Sequence, residues 1–205
     1  MTRTSIDNVV FDIGNVLIGW YPDRLYRKMF ASDEAMHRFY AETGLLTRNM
    51  EFDRGEPFAS GLAELAARHP HHAAALQAFD SRWQEMLDGP IPETVAMLAK
   101  LRAAKVPNFA ISNFSREKFD VALGLYPFLN DFDDIVVSGD VKLVKPDPAI
   151  FRLLLDRRRL DPSRTLFIDD NADNIAAASR LGLVVHHFDD PAALRQDLIG
   201  HGMPV

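Results

Sequence analysis

Polar side chains follow four short apolar runs of the sequence, and their types suit phosphate chemistry. The run Val9-Val10-Phe11 ends at Asp12, which is followed closely by Gly14. A second apolar run ends at Ser112-Asn113 and another at Asp169-Asp170. The remaining run is followed by a loop that carries two lysines. The complete set is Asp12, Ser112, Asn113, Lys142, Lys145, Asp169, Asp170 and Asn174.

Gathered at one place, these residues favour phosphoryl transfer. Carboxylates repel one another unless a cation lies between them. The chain has no Cys, and no His lies near these runs before His186, so the available ligands are oxygens, which suit Mg²⁺. A lysine ammonium can bind a phosphate oxygen, and an aspartate beside Mg²⁺ can attack phosphorus to form an acyl phosphate. Alone, a strand-end Asp is more often a cap or turn residue, and the other residues are also typical of helix caps and helix starts. Their joint occurrence at four strand ends favours a shared site.

The apolar runs and the segments between them predict the fold. Runs of about five residues, rich in Val, Ile and Phe, are typical of strands buried on both faces. We place them at Asn8–Ile13, Pro107–Ser112, Asp134–Ser138, Thr165–Asp169 and Leu183–His187. Helix-period segments lie between them, at Pro92–Lys105, Ser115–Leu123, Asp147–Arg158, Ala172–Leu181 and Pro191–Ile199. This alternation predicts an α/β fold with a doubly wound parallel sheet, whose strand carboxyl ends meet at one ligand-binding edge.

The interval between the first two strands is too long for an ordinary crossover. Residues 18–106 all have helical character, with four helices predicted at Pro22–Ala31, Asp33–Thr43, Pro57–His69 and His71–Leu87. We predict a small inserted helical domain, called the cap below, at residues 18–88, and an α/β core at residues 1–17 and 89–205. The cap is expected to act as a lid over the sheet edge; the alternative is an extension without a role.

Composition narrows the function classes. The chain has 205 residues, is 47% hydrophobic and carries a formal net charge of −6 without a basic block. We therefore expect no nucleic acid or membrane partner. The first residues do not resemble a signal peptide and no run approaches about 20 apolar residues, so we expect a cytoplasmic protein. We also expect a monomer or a homodimer.

Four motifs, in this order, resemble those of the haloacid dehalogenase (HAD) superfamily: FDIGNVL, ISN, KPDPAIF and FIDDNADN. Receiver domains of response regulators share the residue types but place the acidic pair on the first strand. The likeness covers residues 7 to 187 and includes the helical cap of that superfamily. The residues of the first and last motifs are similar to those of bacterial phosphatases that act on glucose 1-phosphate. This resemblance implies a small sugar phosphate as substrate.

The resemblance assigns a role to each motif residue. It implies that Asp12 is the nucleophile and that Asp12, the backbone carbonyl of Gly14 and Asp170 bind Mg²⁺. Ser112, Asn113 and Lys145 would bind the phosphoryl group, with Lys145 also offsetting the charge of Asp12. Asp169 and Asn174 would organise these groups. Lys145 is preferred to Lys142 because it directly precedes Pro-Asp-Pro.

The resemblance fails at Gly14, where most phosphatases of this superfamily have a second Asp that acts as general acid and base. Such help is worth about 10²–10⁴-fold. Its loss would bias the enzyme towards phosphates with good leaving groups, unless water or a cap residue supplies the proton. Two alternatives stay open: a 2-haloacid dehalogenase, and a weakly catalytic phosphate-binding or regulatory protein.

Two weaker patterns in the cap are interpreted as structural. Its tryptophans and arginines could face a substrate, but we expect Trp20 and Trp83 in the cap core and Arg48, Arg54 and Arg82 on solvent-exposed helix faces. The sequence HPHH at residues 69–72 is predicted to form a solvated turn without a neighbouring carboxylate.

Overall fold

A parallel sheet of five strands forms the centre of the molecule in the computed structural model, which describes residues 5–205. The described residues form these strands, in chain order: β1 (Asn8–Phe11), β2 (Ile18–Trp20), β3 (Leu87–Pro90), β4 (Asn108–Ser112), β5 (Asp134–Val137), β6 (Thr165–Asp169) and β7 (Val184–His187). All of them except β2 and β3 belong to the central sheet. The central sheet has the order β5-β4-β1-β6-β7, and all of its pairings are parallel. The predicted fold class, including the helical cap, is confirmed.

Helices cover both faces of this sheet and form the cap. They are α1 (Asp23–Tyr26), α2 (Asp33–Thr43), α3 (Leu45–Asp53), α4 (Phe58–Arg68), α5 (Ala73–Ser81), α6 (Pro92–Ala103), α7 (Arg116–Leu125), α8 (Ser138–Val141), α9 (Pro148–Arg158), α10 (Ala172–Arg180) and α11 (Pro191–Gly200). Short 3₁₀ segments lie at Pro70–His72, Trp83–Met86, Pro127–Asp131 and Pro162–Arg164. Within residues 5–205, no helix combines the length and apolar composition that crossing a bilayer requires.

Successive residues of β1 pack on opposite faces of the sheet. Val9 and Phe11 join the hydrophobic cluster that continues into the cap, whereas Val10 joins the cluster covered by α9 and α10. All three side chains are fully buried. Burial on both faces explains why Val9, Val10 and Phe11 form an uninterrupted apolar run. The first charged side chain, Asp12, follows at the end of the strand.

The register of the sheet sets the polar residues side by side. Phe11 pairs with Ile168 of β6 on one side and with Ala110 of β4 on the other. Asp12 therefore follows β1 at the level where Asp169 ends β6, and its backbone N–H donates to the Ile168 carbonyl at 2.8 Å. The chain leaves β1 towards β4 and β5 and later returns to β6 on its other side. This is the switch point at which open α/β sheets bind ligands.

Side-chain caps begin the helices that follow these strands. Ser115 caps α7, Asp147 caps α9 with Pro148 in its first turn, and Asn171 caps α10 through the N–H groups of Asp173 and Asn174. Each cap satisfies amide groups that the first helical turn leaves unpaired. The connections from strand to helix are consequently ordered along the edge of the sheet where the polar residues lie.

The inserted segment differs from the prediction in three ways. Ile18–Trp20 and Leu87–Pro90 are not helical; they pair as the antiparallel ribbon β2–β3, which joins the cap to the core. Helix α3 lies in a segment for which no helix was predicted, and α1 is shorter than the predicted helix at Pro22–Ala31. Short apolar strands and helix segments have similar composition, and tertiary pairing decides between them here.

The expectation about the histidine-rich turn is wrong in one respect. The Nε2 atom of His72 lies 2.9 Å from a carboxylate oxygen of Glu42, and Nε2 of His71 lies 3.7 Å from the same oxygen. Glu42 is on α2, so the neighbouring carboxylate comes from another helix. Sequence proximity could not reveal it.

Candidate active site

Lys145 connects two carboxylates at the carboxyl edge of the sheet. Its Nζ atom lies 2.9 Å from Oδ1 of Asp12 and 2.6 Å from Oδ2 of Asp169. All three side chains are buried. Buried charges persist only when paired, so this arrangement couples the ends of β1 and β6 through one cation.

Asp169 is held from two further sides. The side-chain amide of Asn174 donates to both of its carboxylate oxygens, at 3.0 and 3.1 Å. The backbone N–H of Asn171 donates to Oδ1 at 2.8 Å. With Lys145 on Oδ2, each oxygen of Asp169 is engaged by the protein, so this residue serves to hold its neighbours.

Asp12 and Asp170 keep carboxylate oxygens available for a ligand. Oδ1 of Asp12 accepts from Lys145 and from the N–H of Ile13 at 2.7 Å, and no residue between 5 and 205 donates to its Oδ2. Oδ2 of Asp170 accepts from the side chain of Asn15 at 3.2 Å. One oxygen from each of Asp12, Asp169 and Asp170 lies within 4.8 Å of the others.

This donor set fits a magnesium ion. Mg²⁺ prefers oxygen ligands and uses one or two carboxylates with waters and substrate phosphate. The third predicted ligand, the carbonyl of Gly14, receives no hydrogen bond from a backbone N–H of the described residues. Asp12, Gly14 and Asp170, the three predicted ligands, all line the same cavity.

Electrostatics support a cation at this place. Burial raises the pKa of Asp12 to about 7; Lys145 opposes the shift and Asp169 adds to it. Burial also raises the pKa of Asp170. Burial alone would lower the pKa of Lys145, but Asp12 and Asp169 outweigh it and raise that pKa. One ammonium faces three carboxyl groups, and a divalent cation would favour the ionised forms of Asp12 and Asp170.

The remaining motif residues line the same cavity, with one unexpected contact. Ser112 ends β4, is buried, and lines the cavity with Asn113. The amide of Asn113 accepts from the N–H of Lys145 at 2.7 Å and donates to the Lys145 carbonyl at 2.9 Å. Asn113 therefore positions the lysine, a contact that the sequence did not predict.

Lys142 lies elsewhere. Its Nζ atom donates to the carbonyl of Gly139 at 2.8 Å and to that of Gly55 at 3.4 Å, at a junction of core and cap. Of the two lysines in the loop, Lys145 is the one beside Asp12.

The cap closes a cavity of about 330 Å³ over these residues. Apolar and aromatic side chains form part of its wall, with polar groups among them: Ile18, Trp20, Asn49, Asp53, Phe58, Trp83, Leu87, Phe114 and Lys118. This mixture suits a small polar metabolite. Both tryptophans line the cavity, although Trp83 also belongs to the hydrophobic core.

The cap arginines do not line this cavity. Arg48 pairs with Glu56 and Glu64, Arg54 with Glu51, and Arg82 with Glu85. All three form salt bridges with acids of the cap itself. Arg54, directly after α3, is exposed, as predicted, whereas Arg48 is half-buried and Arg82, also half-buried, follows the end of α5.

Asp53 is a cavity residue that sequence reasoning missed. It ends α3, the helix that was not predicted, and its carboxyl group lines the cavity together with Asp12 and Lys145. The local signal was an acid between Phe52, which is fully buried, and Gly55, which has a φ of 100°. Because Phe52 is buried and the chain turns sharply at Gly55, the acid between them is placed to face the cavity.

Comparisons with known proteins show the family and the fold of the chain. A family model for haloacid dehalogenase-like hydrolases matches residues 6–182. D-ribitol-5-phosphate phosphatase from Bacteroides thetaiotaomicron is 26% identical over 210 residues, which is 94% of this chain and 97% of that protein. A HAD family enzyme from the same organism, solved with magnesium and inorganic phosphate, has the same fold, with a TM-score of 0.71 and 21% identity over 93% of this chain and 99% of that chain.

A shorter match points to a different reaction. (S)-2-haloacid dehalogenase 1 from Pseudomonas sp. (strain CBS-3) is 30% identical over 91 residues, which is 44% of this chain and 40% of that protein. As with several other curated relatives, the match spans less than half of the relative's own length.

Proposed function

The chain belongs to the haloacid dehalogenase-like hydrolases, and from that premise we propose that it is a magnesium-dependent phosphatase of small phosphorylated metabolites. The observation that carries the proposal is the contact of Lys145 with both Asp12 and Asp169, next to Asp170. A carboxylate with a free oxygen, a buried cation and an adjacent metal-ligand set are the requirements of phosphoryl transfer through an aspartyl phosphate.

Each residue of the site has a separate role in the proposed phosphoryl transfer. Asp12 attacks phosphorus and carries the phosphoryl group, while Lys145 and Ser112 bind its oxygens. Asp12, Asp170 and the Gly14 carbonyl would hold Mg²⁺, which would neutralise phosphate charge. Asp169, Asn174 and Asn113 keep Lys145 in place through the hydrogen bonds described above.

We propose a sugar phosphate, such as a hexose 1-phosphate, as the substrate. The cavity volume of about 330 Å³ suits a small metabolite. Trp20 and Trp83 offer apolar faces, and Asn49 and Lys118 offer groups for hydroxyls. The full-length relative named for ribitol 5-phosphate also supports a polyhydroxylated substrate.

A phosphate-release screen tests the proposal. Purified protein with Mg²⁺ would be assayed against hexose 1-phosphates, hexose 6-phosphates, pentitol phosphates, nucleotides, acetyl phosphate and phosphoglycolate, beside the variant Asp12→Asn. We expect metal-dependent release that is highest with hexose 1-phosphates and lost in Asp12→Asn. Release from none of these compounds, or release that survives Asp12→Asn, contradicts the proposal.

The same preparation tests the dehalogenase alternative, which the partial match to a haloacid dehalogenase favours. Halide release from (S)-2-chloropropionate without added metal would support it. The acidic pair Asp169-Asp170 argues against it, because an attack on carbon needs no metal ligands at the end of β6.

A further inference from the structure

We infer that Asp53 of the cap is the proton donor and acceptor of the reaction, in place of the acid that Gly14 lacks. This inference rests on the proposed function, since it concerns the same phosphoryl transfer. It assigns to the cap a catalytic group as well as a wall of the cavity.

The position of Asp53 is fixed by contacts on both sides of the cap boundary. Within α3, the amide of Asn49 donates to its Oδ2 at 2.9 Å. From the core, the hydroxyl of Ser138 donates to its backbone carbonyl at 2.5 Å, and the backbone N–H of Ser115 faces its carboxyl group. Asn49 therefore holds the carboxyl group, while Ser138 ties the backbone at the end of α3 to the core.

Gly55 strengthens this attachment. Its φ of 100° is unfavourable for other residues, and a Cβ there would collide with the carbonyl of Gly139 and the Nζ of Lys142. The chain after Asp53 is thus packed directly on the core at α8. A side chain at position 55 would push the end of α3 away from the sheet.

The charge surroundings suit a group that exchanges a proton near neutral pH. Within residues 5–205, Asp53 forms no salt bridge. Burial raises its pKa to about 7, the Ser115 N–H acts against that shift, Asp12 adds to it and Lys145 opposes it. General acids and bases work best when their pKa lies near the operating pH.

The space beside Gly14 would accept a side chain, yet the chain places no acid there. A Cβ built at Gly14 has no atom of the described chain within 4 Å, and its backbone is not in the left-handed region. An Asp at position 14 would therefore fit. The cavity holds one carboxyl outside the predicted metal set and the Lys145 pair, and that carboxyl is Asp53.

The reaction then has two steps. In the first, an Asp12 oxygen forms a bond to phosphorus, the bond from phosphorus to the ester oxygen breaks, and the leaving alkoxide takes the proton of Asp53. In the second, the Asp53 carboxylate takes a proton from water, the water oxygen attacks phosphorus, and the bond to Asp12 breaks. The products are the alcohol and inorganic phosphate, with Asp12 ionised and Asp53 protonated again.

Leaving-group dependence tests this role. We would measure kcat/KM for three esters without hydroxyl groups, para-nitrophenyl phosphate, phenyl phosphate and n-butyl phosphate, with wild type and Asp53→Asn. Because a good leaving group needs no proton, we expect little change for the nitrophenyl ester. For the butyl ester we expect a loss of about 10²–10³-fold, within the range of general acid catalysis. Asn is isosteric with Asp, and its amide oxygen can still accept the hydrogen bond from Asn49.

Three further variants make the result interpretable. Glu51→Gln makes the same chemical change at an exposed acid of α3 and should behave as wild type. Gly14→Asp in the Asp53→Asn background should recover at least tenfold of the butyl phosphate activity. Asp12→Asn should abolish hydrolysis of all three esters.

The outcomes separate this inference from the proposed function. If wild type hydrolyses the esters and Asp12→Asn does not, but Asp53→Asn lowers all three equally or none, the role of Asp53 is wrong and the proposed function stands. If hydrolysis survives Asp12→Asn, the proposed function itself fails.

Discussion

At the scale of single residues, Lys145 is the group on which the site depends. The buried ammonium of Lys145 contacts the carboxylates at the ends of two strands. The Asn113 side chain forms a hydrogen bond with the backbone of Lys145. Removing one partner from a buried charge pair costs more than the pair contributes, because it leaves an uncompensated charge. The residues around Lys145 should therefore affect both stability and activity.

Asn174→Ala tests this dependence. The substitution removes donors at 3.0 and 3.1 Å from the buried Asp169 carboxylate. We expect a loss of about 1–3 kcal/mol in the free energy of unfolding, measured by urea denaturation, and a lower kcat with little change in KM. Asn130→Ala, at an exposed amide bonded to Pro127, is the matched control. Equal stability of the two variants would argue against a holding role for Asn174.

The pH dependence of Asp53 is a second prediction at this scale. A general acid acts while protonated, so kcat/KM for n-butyl phosphate should fall as pH rises through about 7. The charged groups that line the cavity with it are Asp12, Asp170, Lys118 and Lys145, and they titrate in the variant as well. The prediction therefore concerns the difference between wild type and Asp53→Asn.

In Asp53→Asn, the part of that decline due to residue 53 should disappear, and activity should be low throughout. Para-nitrophenyl phosphate serves as the internal comparison, since its leaving group needs no proton. A decline above neutral pH that is identical in wild type and variant would exclude Asp53 as its source.

At the scale of elements, Ser138 joins the end of β5 to the cap. Its hydroxyl accepts from the N–H of Phe114 at 2.8 Å and donates to the carbonyl of Asp53 at 2.5 Å. Both partners are backbone groups near the cavity, where an unpaired group is costly. Ser138 is therefore a positioning residue for α3 and for the acid at its end.

Ser138→Ala should reveal this role. We expect kcat/KM to fall more for n-butyl phosphate than for para-nitrophenyl phosphate, because a displaced Asp53 harms only the step that needs a proton. Ser60→Ala, which removes an exposed hydroxyl bonded to Pro57 within the cap, is the control. An equal loss for both esters would point to a general effect on folding.

The elements also show which parts of the site a sequence can predict. Asp12 and Asp169 were predictable because parallel strands end at one edge, so residues that follow two apolar runs must approach each other. The position of Asp53 was not predictable from the sequence, because Asp53 reaches the cavity only when the cap packs against α8. The β2–β3 ribbon was missed for a similar reason: Ile18–Trp20 is recognisable as a strand only when Leu87–Pro90 pairs with it.

At the scale of the whole molecule, the two parts contribute different chemistry. In the proposed mechanism the sheet edge supplies the nucleophile and metal ligands, which follow β1 and β6, and the buried cation Lys145, which lies in the loop between α8 and α9. The cap supplies the aromatic wall and one carboxyl group over a cavity of about 330 Å³. The charge needed for phosphoryl transfer is thus built into the core, while substrate shape and proton transfer depend on how the cap is seated.

The central claim is that Asp12 carries the phosphoryl group during turnover, and rapid chemical quenching tests it most directly. Enzyme would be mixed with para-nitrophenyl phosphate and Mg²⁺, quenched in acid within a turnover, digested and examined by mass spectrometry. We predict one added PO₃ group on the peptide that contains Asp12, and none in Asp12→Asn. Turnover with no phosphorylated peptide, or with the PO₃ group on another residue, would contradict the account.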